Sequence, residues 1–578
     1  MVRAAVRSIL ETIIVLAGVW TMGGEPRQAL NCVRSPVCSI LALVASLVPS
    51  IALCAEDSAP NTTPQAVRRP VKITISKETT CLTGPIRPDG WLDYAAAINQ
   101  RCGSGVTVEN NAAIPFWQAV GPKDIPKEKR GPFFRLLGIP PLPEEGQYLV
   151  PLYAQLQQVK DRPVVGSPEW NKWLDDILDQ PRIAQSRPWS RKEFPVLASW
   201  LDSNLKPLET ISAGAGRSRF FEPLVVKPDG SLLDALEIVG FSGFRSAVEL
   251  LRVRAMQHVA EGEIDDAWRD LLVCHRLARL EGQKPLLVDG IVARGMERSA
   301  CDGDVAFVYY AHSTSEKLGQ YRRELLQLPV MPPMEAHSLE ERLFSLDTLR
   351  SIAMGDQKAV DLRSMLRSED RAKEARSKLL ADRRIDWDVV FRTFNSSMDQ
   401  GEEASRQPTI PQKREALKKL DDSASAAAHR VDDPAELKKL LSPETPPAKI
   451  SRQLAEVLLE PDGGSGVYVW AEGATAAKTQ LRDFAFALAM YHNDRAAYPR
   501  SLADLSPKYL AEIPRDPWTD REYLYRPRNN GYLLYSVGRN GKDDGGNSWM
   551  DNPKQFAGEK DIDKLPDDIA IRTPEAGP

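Results

Sequence analysis

The chain has 578 residues, 42% hydrophobic and 27% charged, which fits a globular protein of two to four domains and excludes a disordered or wholly membrane-embedded one. Lys and Arg number 75 against 79 Asp and Glu, a net charge of -4, so no chain-wide basic field recommends nucleic acid as a partner. The 44 prolines point to many non-helical connections between helical parts.

The chain begins with a leader pattern. Residues 38–55, CSILALVASLVPSIALCA, are almost wholly apolar, follow Arg27 and Arg34, and precede Glu56 and Asp57. A basic region, an apolar run and small residues before a cut after Ala55 fit a secretory signal over residues 1–55, and Met22 offers a second start. An uncut leader would instead be a membrane anchor, since 18 apolar residues just span a bilayer. The expected location is therefore export to the periplasm or cell envelope, free or tethered by residues 38–55. Cys32, Cys38 and Cys54 leave with a cleaved leader. Cys81, Cys102, Cys274 and Cys301 remain, an even set that permits two disulfides or four free thiols. No CxxC occurs, which removes a zinc ribbon or thioredoxin-type site.

Residues 56–70 are polar and proline-bearing, a tether. Residues 71–190 read as a mixed helical and irregular domain. Val71 to Ser76 alternates as a short strand, Trp91 to Ile98 has helical spacing, and Thr107 caps a helix reaching Trp117. Residues 121–190, rich in proline and aromatics, are expected to be irregular. The run Glu109-Asn110-Asn111-Ala112 resembles segments of uncharacterised exported bacterial proteins, from which no activity follows. Residues 191–345 are helical. Ala247, Leu250, Leu251, Arg254, Ala255 and His258 share one helix, Glu261-Gly262 breaks it, and Ile264, Trp268, Leu271 and His275 begin the return. That is either an ordinary antiparallel helix pair or one tetratricopeptide-like hairpin without a second copy. Residues 346–460 form a charged helical region whose interleaved acids and bases fit solvated faces, with the breakers Leu441 to Pro447 and Pro461 to Gly466 and a linker at 461–473.

Residues 474–573 form the last module. Leu481, Phe484, Ala485, Leu488 and Tyr491 make an apolar helical stripe, with Arg482 and Asp483 off it. Ser501 to Leu505 is a short helical turn. Tyr523 to Tyr525 and Tyr532 to Tyr535 read as strands joined by the hairpin signal Arg528-Asn529-Asn530-Gly531. The expected fold class is thus a multi-domain, mainly α protein, with helical N-terminal and central regions and a small C-terminal α+β domain, a helix packed on an antiparallel sheet.

The ordered set of the helix, Tyr498-Pro499, Asp516-Pro517-Trp518, two strands, Tyr535-Ser536, Gly538 and Gly541-Lys542 resembles the globular part of the type II secretion major pseudopilin. The resemblance implies protein partners in secretion or pilus-type machinery. It also implies a calcium-binding loop, which needs six to eight oxygens from carboxylates and backbone carbonyls. The corresponding positions here are Asn540, Asp543, Asp544, Asp567 and Asp568, with no other cofactor implied. Two departures stand out: Asn540 replaces the usual Asp, and about twenty residues from Asn547 to Pro566 are inserted before the closing acidic pair. Pseudopilins also carry a long apolar helix ahead of this domain. Residues 461–473 supply none, so the chain has the module without the stem of a filament subunit.

No catalytic constellation is evident. HExxH, GxSxG and Walker motifs are missing, and the six histidines, His258, His275, His312, His337, His429 and His492, do not pair at metal-ligand spacing. Asp386-Trp387-Asp388 could serve acid–base work but equally suits a solvated helix end. The sequence therefore favours a non-enzymatic envelope protein, the alternative being an envelope hydrolase with a site in residues 190–330.

Overall fold

The structure is a computed structural model that describes residues 71–573, except 228–229, 238–240, 357–358, 360–369, 460–463, 529–530, 552 and 557–563. The expected leader and tether, Cys32, Cys38 and Cys54, and the hairpin centre Asn529-Asn530 lie outside the described residues, as do parts of the Pro461 breaker and of the charged run.

The N-terminal part departs from expectation in three places. Val71 to Ser76 is not a strand. An alternating run becomes one only when a neighbour takes its N–H groups, and here the Thr74 N–H goes to Asp388 Oδ1 at 2.7 Å. Thr107 closes a turn with Asn110 instead of capping a helix. The helix α1 spans Tyr94–Cys102 and α2 spans Ala113–Val120. Residues 121–190 hold three helices, α3 (Lys127–Leu137), α4 (Leu152–Leu156) and α5 (Pro168–Ala184), where irregular structure was expected. Pro168 fills the first helical position behind the Ser167 cap, where a missing N–H costs nothing. The Asn110-Asn111 pair has a structural task. Asn111 is buried and exchanges both its amide hydrogen bonds with the Phe221 backbone at 2.9 and 3.0 Å.

Beyond α6 (Pro195–Gly214), the helices α7 (Phe241–Glu261) and α8 (Ile264–Glu281) form the expected hairpin. Gly262 turns it with φ of 80°, a conformation that β-carbon-bearing residues resist. The chain continues through α9 (Leu287–Tyr310) and α10 (Ser315–Leu326). The charged region supplies α11 (Ser338–Ala353), α12 (Asp370–Leu380), α13 (Trp387–Ser405), α14 (Ile410–His429), α15 (Pro434–Leu440) and α16 (Pro447–Leu458).

The last helix, α17, spans Gly464–Arg495 without interruption. Residues 464–473 of the expected linker at 461–473 are therefore helical: Gly464 and Gly466 fall in the first turn, and Gly473 continues the helix. Three strands follow, β1 (Leu524–Arg528), β2 (Gly531–Ser536) and β3 (Ile569–Arg572), in the antiparallel order β1-β2-β3. Tyr535 faces Leu524 on one side and Ala570 on the other. The fold is thus mainly α with a small C-terminal α+β part, as the sequence reading has it.

One continuous buried cluster runs from Leu92 to Ile571. At its centre Trp268 meets Phe307, Tyr321 and Phe486 with ring centroids 5.4, 4.8 and 6.0 Å away, joining α8, α9, α10 and α17. Cys81, Cys102, Cys274 and Cys301 are all free thiols, so neither disulfide forms. Among the described residues no helix is long and apolar enough to cross a membrane.

Candidate functional site

Two constellations of charged side chains invite chemistry. The first lies in the seam between α9 and α17. His275 donates from Nδ1 to Glu297 Oε2 at 2.9 Å and from Nε2 to Asp304 Oδ2 at 2.8 Å. A ring that donates from both nitrogens carries a positive charge. Burial works against that charge, but Glu297 and Asp304 outweigh it and hold the imidazole up to about 9. Glu297 feels the opposite pull. Burial alone would raise it, yet His275, Arg279 and Arg482 bring it down to about 2. Arg279 reaches Glu297 at 2.8 Å, while Arg482 sits 3.9 Å from it and pairs with Asp483 at 2.8 Å.

A sequence spacing of seven places Glu297 and Asp304 on one face of α9, two turns apart. That spacing is legible in the sequence, but nothing there shows which helix faces it. Arg482 was expected off the packed stripe and is instead buried at 5% side-chain exposure. The helix packs on two sides. Leu481, Phe484, Ala485 and Leu488 are buried, and so are Phe486 and Ala487. Phe486 is about 200° around the helix from Phe484. Carboxylates do converge on a histidine within residues 190–330, but His275 and Asp304 have 0% side-chain exposure, so no substrate reaches them. The Asp386 and Asp388 carboxylates are likewise occupied, one capping α13 at Val389 N–H and the other receiving Thr74 N–H.

The second constellation is the loop after β2. Gly538 begins it with φ of 63°, and a side chain there would strike the Asp567 carbonyl. Asp567 accepts the N–H groups of Arg539 and Asn540, while Asp568 Oδ2 accepts those of Asp544 and Gly546 at 3.0 and 2.7 Å. Asn540 Nδ2 donates to Asp544 Oδ2 at 2.9 Å. The closing acidic pair therefore returns to the loop despite the insertion, whose ends are fastened by the bridge between Ser548 and Asp567. Asn540, Asp544, Asp567 and Asp568 come together. Asp543 does not join them: it turns outward to the Tyr535 hydroxyl at 2.7 Å and to Arg526 at 3.0 Å, which lower it. Strand β3, which carries the acidic pair into the sheet, had no separate sequence expectation.

The charge balance of this loop differs from that of the seam. Burial pushes Asp567 up to about 6. Burial, aided by the nearby Asp544 and opposed by the Gly546 N–H, pushes Asp568 up to about 7. Asp568 Oδ1 is buried without a hydrogen-bond partner. Buried oxygens of this kind require an explanation, and the neighbouring Asp544 and Asp567 carboxylates add further hard oxygens to the same loop.

Comparison with known proteins gives one match. The family Type II secretion system (T2SS), protein G matches residues 471–551. The matched stretch starts within α17, includes β1, β2 and the loop from Gly538 to Gly546, and stops before Asp567. No curated protein and no solved structure matches the chain. The C-terminal part is therefore a type II secretion pseudopilin-like module.

Proposed function

We propose that this is a non-enzymatic protein of the cell envelope, exported by its leader, whose pseudopilin-like module contacts components of secretion or pilus-type machinery. The observation that carries this reading is the family match, which takes in most of α17 and two of the three strands of the C-terminal sheet. The module does not act as a filament subunit. Residues 461–473 carry no apolar stem, and the packing flank of α17 is already covered by α9 and α10. An exposed apolar patch on residues 480–491 would have offered a docking face, but that stretch is largely buried. Contact therefore falls to the exposed rim of the module, around Arg526, Lys542 and Asn547.

Asn540, Asp544, Asp567 and Asp568 would hold a calcium ion, which supplies Asp568 Oδ1 with the positive partner it lacks and orders the loop. Cross-linking the full chain in its native cells tests the contact, with recovery of pseudopilins or secretion-platform proteins expected. A chain recovered without any envelope partner would sink it. The His275 cluster itself is sealed and offers the hydrolase alternative no reachable chemistry.

A further inference from the structure

The hairpin between α7 and α8 brings together side chains that the sequence keeps apart. At the last turn of α7, the left-handed Gly262 folds Glu263 back so that its N–H meets the His258 carbonyl at 2.8 Å. The Glu263 carboxylate then approaches His258 Nδ1 at 2.6 Å. Glu261, held by Gln257 Nε2 at 2.9 Å, completes the group, and the ligand atoms of His258, Glu261 and Glu263 all lie within 4.8 Å of one another. On the far side of the ring, Asp270 Oδ2 lies 3.8 Å from His258 Nε2. Asp270 is itself fixed by two hydrogen bonds from Arg254, at 2.8 and 2.6 Å.

We propose that His258, Glu261 and Glu263 bind a divalent transition-metal ion of the zinc class, with water in the remaining position. An imidazole with two carboxylates suits zinc, copper or nickel and not calcium, which prefers oxygen alone. The carboxylate behind the second ring nitrogen is the other half of the argument. Histidines that ligate metal commonly give their other N–H to a carboxylate, which fixes the tautomer; the clamped Asp270 carboxylate lies on that side of the ring, in charge contact at 3.8 Å and a small shift short of a hydrogen bond. In the bound form Nδ1 takes the metal and the ring proton sits on Nε2, facing Asp270. The hydrogen bond between His258 and Glu263 must open by roughly 0.8 Å, since two ligands at about 2.1 Å in a tetrahedron lie about 3.4 Å apart. Glu261 and Glu263 are exposed and on the rim of a turn, which allows that movement. The bound ion would pin the α7–α8 turn.

The test is calorimetric titration of the full chain with zinc chloride, in excess calcium chloride so that the loop after β2 does not compete. One zinc per chain with a dissociation constant below about 100 µM is expected. His258→Gln, and separately the double change Glu261→Gln with Glu263→Gln, should weaken it at least about tenfold. Copper loaded in place of zinc should show an imidazole-nitrogen signature in its electron paramagnetic resonance, lost in His258→Gln. Metal-free melting of both variants should match the parent, which separates lost ligands from lost folding. Zinc binding that survives both variants, or no stoichiometric binding below about 100 µM, overturns the proposal.

Discussion

The α9–α17 seam and the loop after β2 both bury several charges, and they resolve the problem in opposite ways. In the seam, the imidazolium of His275 with Arg279 and Arg482 faces Glu297, Asp304 and Asp483, so positive and negative groups balance. In the loop, Asp544, Asp567 and Asp568 gather with mostly backbone N–H groups for company. Balanced buried charge closes a region to further chemistry and fixes which surfaces pack together. Unbalanced buried charge is a deficit that either a proton or a cation must fill. The contrast separates a structural joint from the loop proposed to hold a cation.

Breaking the joint should have the largest effect. Glu297→Ala leaves His275, Arg279 and Arg482 without their shared anion, and urea denaturation should register a loss of about 3–5 kcal/mol. Phe486→Ala, which opens a hole beside Trp268, should cost a similar amount, about 3–5 kcal/mol by the same measurement. The joint also has a pH signature. Because folding raises His275 above its ordinary value to about 9, its contribution is complete below about 6.5 and disappears as pH rises through about 9. Stability should fall by about 3 kcal/mol across that window, and His275→Gln should flatten the curve.

The loop should respond to cation and not only to pH. Its raised Asp568 favours folding when protonated, so without calcium the protein should lose thermal stability as pH rises from about 4 through about 7. Calcium should restore it, and Asp568→Asn should raise the calcium-free midpoint while abolishing the calcium response. A midpoint indifferent to calcium in the parent would remove the cation from this picture. Smallest of all, Arg526→Ala should shift stability by less than about 0.5 kcal/mol, because its pair with Asp543 is about half exposed on both sides.

Local pattern carried much of this fold. The α7–α8 hairpin was readable from the Glu261-Gly262 break, and the α17 stripe from Leu481, Phe484 and Leu488. Residues 121–190 misled because a proline at a helix's first turn, as at Pro168, looks in sequence like a breaker. Arg482 lies off the apolar stripe in sequence and is still buried, because one amphipathic stripe predicts one buried face whereas α17 has two. Convergence of the acidic loop rested on resemblance, since the insertion hides from any local pattern that Asp567 returns to Asn540. His258 has no second histidine at metal-ligand spacing. Its neighbours are carboxylates supplied by a turn.

The two-sided burial of α17 also governs how the chain can be made. Synthesis proceeds from the N-terminus, so α8, α9 and α10 emerge with Trp268, Phe307 and the Glu297 carboxylate uncovered until residues 464–495 have followed. Until then the earlier helices hold an incomplete interior, with apolar surface and charge exposed together. A stop codon shortly before Gly464 would leave them permanently so, and such a product should be cleared by proteases instead of accumulating as a shorter working protein.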